Sequence, residues 1–179
     1  NPETLRRVRG TFEVPLYLTG TGGPGEGFAL DDAGRPERQA GPDTATFTCN
    51  IPPAAATTPA RMSLYGHGLL GEQSEVNGRL VRPMSATYDV AYCATDWIGM
   101  AEEDVGNAVA ILQDLSRFPT LADRLQQGFL NFLFLGRLMR HPEGLVSHEA
   151  FQLAGAPLLH TDELYFDANS QGCILGGAL

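Results

Sequence analysis

The chain has 179 residues, 43% of them hydrophobic and 18% charged, a balance that fits one globular domain rather than a disordered segment. With 12 basic and 21 acidic residues the net charge is −9, which argues against a surface built for nucleic acid or an anionic membrane. All 12 basic residues are arginine, so chemistry that needs a phosphate-loop lysine, a kinase-type lysine, a Schiff-base lysine or a Ser-Lys dyad is excluded.

The first fifty residues read as β-structure. Val8 to Thr19 alternates through Val14, Leu16 and Leu18, and Pro15 marks an edge strand. Gly20 to Gly27 is a Gly/Pro-rich loop, either a surface turn or a lid over a cleft. Phe28-Ala-Leu and Glu37-Arg-Gln flank Asp31 to Pro36 as a hairpin, and Ala45 to Ile51 is a strand closed by Pro52-Pro53.

Beyond Pro59 the pattern alternates between strand and helix. Arg61 to Tyr65 is a short strand leading into Gly66-His67-Gly68-Leu69-Leu70-Gly71. Residues 74–86 predict a helix with Val76, Leu80 and Met84 on one face. Asp89 to Thr95 predicts a buried parallel strand. A helix begins near Met100 with Glu102, Glu103 and Asp104 in a solvated first turn, and Val105, Val109 and Leu112 along one face. Leu121 to Met139 is the strongest helical stretch, with Leu125, Phe129, Phe132, Leu133, Gly136 and Met139 at the 3.6 period of a core-facing stripe. Ser147 to Leu153 predicts a short helix and Leu164 to Ala168 a strand. Asn169 to Gly172 predicts a turn, and a helix follows from Cys173. The expected fold is α/β, a mostly parallel sheet with right-handed crossovers from residue 60 onward. Residues 1–59 supply antiparallel strands of the same domain.

Cys49, Cys93 and Cys173 lie far apart, and His67, His141, His148 and His160 form no HExxH pattern, so neither a local metal motif nor a cofactor is expected. No apolar run approaches the ~20 residues of a membrane span. The sequence starts at Asn1-Pro2 without a basic-then-apolar leader; with three cysteines, this leans towards a secreted or periplasmic protein.

Two segments carry chemistry. Ala168-Asn-Ser170-Gln-Gly172 sits between a predicted strand and a predicted helix, where a nucleophilic serine needs small residues two positions either side so that backbones can pass closely. The loop Gly66 to Gly71 follows an earlier strand, where acyl transfer needs a preorganised oxyanion donor. That assigns the backbone N–H groups of Leu69 and Gln171 to the oxyanion, and to His67 and Gly68 the shaping of the loop. Trp97, after Asp96 at the end of a parallel strand, reads equally as an acyl-pocket wall or a core tryptophan.

Together "YGHGLLG" and "YFDANSQGCILGG" resemble the α/β-hydrolase superfamily on its lipase and carboxylesterase side, over about residues 60–179, with an AxSxG elbow in place of GxSxG. The resemblance implies an α/β-hydrolase sheet, serine-ester chemistry on small-molecule or polymeric esters, and no metal. It also implies the chain order nucleophile, acid, histidine. Only nine residues follow Ser170 and none is a histidine, while His141, His148 and His160 precede it. The sheet is therefore expected to be incomplete on its C-terminal side, and a further segment or a second chain to supply the histidine and the acid. Amidase, peptidase or acyltransferase chemistry on the same serine, or a non-catalytic binding module, are the alternatives. The superfamily's sheet order would make the strands of Cys49 and Cys93 neighbours, as a disulfide or as two buried thiols.

Overall fold

A computed structural model describes residues 2–179. Five strands form one mixed sheet: β1 (Arg6–Pro15), β2 (Pro42–Ile51), β3 (Ala60–Gly66), β4 (Val90–Ala94) and β7 (Leu159–Ala168), in the order β1-β2-β4-β3-β7. Two short strands, β5 (Gln152–Leu153) and β6 (Ala156–Pro157), pair separately. Strand β2 is antiparallel to both β1 and β4, and β3 is parallel to β4 and β7, so β2 alone runs against the other four. Pro15 closes β1, an edge strand, where its missing N–H costs no ladder bond.

Period-two alternation sorts the central strands between two cores. Met62, Leu64 and Cys93 join Trp97, Phe132, Leu135 and Met139 under the long helix α3 (Pro119–Arg140). Tyr65, Tyr92 and Ala94 pack on the other side with Val76 and with Val81 of α1 (Val81–Tyr88). Cys49 and Cys93 are register partners across β2 and β4 and form a disulfide, which settles the choice between a bridge and free thiols.

The segment between β1 and β2 is held against α3. Tyr17 N–H donates to Gln127 Oε1, Gln127 Nε2 to the Pro15 carbonyl, and Phe28 N–H to Asp123. The Gly20–Gly27 loop closes on itself through Thr19 N–H to the Gly27 carbonyl and lies beside Asn107 and Arg117, as a docked turn. The Asp31 carboxylate closes the expected hairpin by accepting from the N–H groups of Ala33 and Arg35.

Several expectations are corrected. The helix expected over 74–86 is a 3-10 turn at Gln73–Asn77, ended by Gly78 in an extended conformation, followed by α1. Leu80 and Met84 are exposed, and Val81 and Ser85 are buried instead. Helix α2 (Val105–Gln113) turns Val105, Val109 and Leu112 to solvent and buries Asn107 and Ile111. Asp104 is not solvated: it is fully buried and paired with Arg124 of α3. Leu133 is half exposed beside a groove of about 530 Å³ between α3 and β7. The helix expected over Ser147 to Leu153 is absent: 3-10 turns at Leu145–Ser147 and Glu149–Phe151 lead into β5, and Arg6 Nη1 donates to the carbonyls of Glu149, Ala150 and Gln152. Strand β7 begins at Leu159, five residues earlier than expected. Helix α4 begins at Gln171, not Cys173.

Candidate active site

The turn from β7 into α4 (Gln171–Gly176) is built by three contacts. Asn169 N–H donates to the Gly66 carbonyl, Gly172 N–H to the Asn169 carbonyl and Cys173 N–H to the Ser170 carbonyl. Ser170 takes φ 48° and ψ −112°, a region that a residue with a β-carbon occupies only at a cost of about 1–3 kcal/mol. The side chain is exposed, and among the described residues its hydroxyl has no hydrogen-bond partner. Gly172 lets the turn pass against β3: an added β-carbon would lie 2.3 Å from the Gly66 oxygen and 2.8 Å from the His67 oxygen. The small residue two positions after Ser170 thus has a steric cause.

The loop after β3 lies next to this turn, Gly68 being close to the Asn169 amide. Leu69 is largely exposed, and neither its N–H nor that of Gln171 donates to another described residue. His67 is fully buried, with both ring nitrogens engaged. Nε2 accepts from Trp97 N–H at 2.8 Å, which places the proton on Nδ1, and Nδ1–H donates to the Gly68 carbonyl at 2.8 Å. A ring so bound has no lone pair free to take a proton from serine. His67→Ala is therefore expected to lower turnover by less than the ~10³ typical of losing an oxyanion donor, well short of a nucleophile knockout. Ester kinetics alongside a thermal melt check this; a loss equal to that of Ser170→Ala in a folded protein would give His67 a direct role.

The other histidines lie elsewhere. His141 and His148 accept from the N–H groups of Glu143 and Ala150 near their own helix ends and turns. His160 pairs with Asp162 near the start of β7, roughly 26 Å along an extended strand from Ala168. Trp97 is fully buried, stacked on Phe132 and edge-on to Phe129, so it is a core residue and not an exposed pocket wall. Gln171 Nε2 donates to the Met100 carbonyl, tying α4 to the loop after β4.

Sequence reading missed a polar layer beneath the turn. Tyr92 hydroxyl donates to Asp167 at 3.2 Å and Tyr65 hydroxyl to Glu75 at 3.4 Å, with the two rings edge to face. Burial, reinforced by Asp167, pushes the Tyr92 phenol up to about 12; burial and then Glu75 push Tyr65 up as well. A phenol raised in the folded state stabilises it fully below the ordinary value of 10.0, and that contribution is lost as pH rises towards the folded value. Urea midpoints are therefore expected to fall above about pH 10, and less steeply in Tyr92→Phe. An identical alkaline slope in the variant would contradict this.

Among the described residues, no group of three or more His, Cys, Asp or Glu side chains could hold a metal ion, and no helix is long and apolar enough to cross a membrane. The sequence matches no family model and no curated protein.

Proposed function

We propose that the protein is a serine hydrolase of the α/β-hydrolase type that cleaves carboxylic esters through an acyl-enzyme intermediate. Ser170 attacks the ester carbonyl, and the N–H groups of Leu69 and Gln171 receive the oxyanion. The observation that carries this reading is the backbone of Ser170, an exposed non-glycine residue at φ 48° on a tight strand-to-helix turn. Strain of that kind persists only where surrounding structure imposes it, and it clusters at reacting residues. The adjacency of β2 and β4, bridged by Cys49–Cys93, is what the superfamily resemblance implies and adds support.

The base and the acid come from outside these residues, from a further segment of the protein or from a second chain. Support comes from the edge position of β7 and from the groove beside it, lined by Leu64, Phe132, Gly136 and Leu164. An uncovered strand edge is a site for pairing with another segment. The disulfide supports a secreted or periplasmic location, since such bonds persist in oxidising compartments.

A second reading, a non-catalytic hydrolase-like binding module, draws on one observation: none of the described histidines is bonded to Ser170. A panel of short-chain p-nitrophenyl esters and matched anilides separates the possibilities. Ester turnover by the full-length protein is expected, faster than anilide turnover. Preference for anilides would indicate an amidase, and no turnover of either would favour the binding module.

A further inference from the structure

Two consecutive peptide planes in the loop Gly66–Gly71 are fixed by different groups. The Gly68 carbonyl accepts from Gly71 N–H at 3.0 Å and from His67 Nδ1–H at 2.8 Å. A trans peptide points its C=O and N–H in opposite directions, so these two bonds also set the heading of Leu69 N–H. The plane before it is held from the other side. Gly68 N–H donates to both carboxylate oxygens of Glu75, at 3.1 and 3.3 Å. The His67 carbonyl, opposite that N–H, faces Gly172 at the serine turn.

Glu75 reaches this position from the 3-10 turn Gln73–Asn77, and its Oε2 also accepts from the Tyr65 hydroxyl. The loop is wrapped around the carboxylate: a β-carbon on Gly71 would lie 2.5 Å from Oε1. Glycine at 68 leaves that peptide free to rotate at little steric cost, so something other than its own side chain must select one orientation.

We propose that Glu75 is a positioning residue for the oxyanion loop, holding Gly68 N–H inward so that the next peptide keeps the orientation in which Leu69 N–H serves as the proposed oxyanion donor. The inference rests on the reading of Ser170 as nucleophile. The charge of Glu75 does not help the reaction, because a carboxylate near a developing oxyanion repels it. What serves the loop is an acceptor of the right reach. Reach and charge can be separated: Glu75→Gln keeps the reach and an acceptor oxygen without charge, while Glu75→Asp keeps the charge and withdraws it by one methylene.

The test is steady-state ester hydrolysis by the full-length protein, with kcat and KM resolved, for E75Q, E75D and E75A beside S170A, each assayed below its own melting temperature. E75A and E75D are expected to lower kcat by about 10- to 100-fold with KM held within about twofold, the pattern of a donor misaimed at the transition state. E75Q is expected to stay within about threefold of the parent. If E75A fails to fold, the contrast between E75Q and E75D decides alone. Unchanged kcat in E75A or E75D overturns the inference, and so does an E75Q as slow as E75D, which would show that an acceptor of the right reach does not suffice. Loss of activity in S170A with unaffected Glu75 variants refutes the role of Glu75 and leaves the nucleophile standing. Activity that survives in S170A overturns both.

Discussion

Ser170→Ala is expected to lower ester turnover by about 10⁶-fold, the loss typical of removing a triad nucleophile, with little change in thermal stability. The hydroxyl is exposed and bonded to no described residue, so its removal costs the fold no hydrogen bond and opens no cavity. Alanine keeps the β-carbon and with it the strain at φ 48°. The two effects therefore separate: chemistry disappears and the melting temperature stays. Turnover above a small fraction of the parent rate would remove Ser170 from the mechanism. A collapse in stability would instead show that the turn depends on the hydroxyl.

Asp104→Ala carries the largest expected cost in stability, about 3 kcal/mol, near the lower end for breaking a buried ion pair. Asp104 accepts from Arg124 Nε at 2.7 Å and from the N–H groups of Gly99 and Ala101 at 2.7 and 3.1 Å, and both charged side chains are almost wholly buried. Removing the carboxylate leaves Arg124 Nε and two backbone amides without their acceptor. Glu103, the second partner of Arg124, keeps the cost from rising further. Urea unfolding measures it. The double variant Asp104→Leu with Arg124→Leu is expected to recover part of the loss, since it leaves no unpaired buried charge. Turnover is expected to fall too, because this pair anchors the loop whose Met100 carbonyl holds Gln171. A single variant as stable as the parent would contradict this account of the loop.

The parts of the fold legible in the sequence were those written in local pattern. Strands β1 to β4 followed from alternation and apolar runs, α3 from its 3.6 period, and the serine turn from small residues between a strand and a helix. Helix α2 misled because its apolar residues are sequence-periodic but face outward, while the buried side is partly polar, with Asn107 bonded to Thr120. The Asp104–Arg124 pair spans twenty positions and leaves no local mark. The break at Gly78 was signalled by Asn77-Gly78, a turn dipeptide inside the expected helix. Glu75 gave no signal at all: one carboxylate among many on an acidic chain becomes distinctive only when the loop folds around it. For Trp97 the strand end pointed equally to pocket and core, and the stack on Phe132 decided between them.

Labelling of the full-length protein with a fluorophosphonate, followed by peptide mapping, tests the central claim most directly, because the reagent requires an activated serine and not a particular substrate. The account predicts one adduct per molecule, on Ser170, absent from Ser170→Ala. A folded protein that takes no label, or that takes it on another serine, would contradict it.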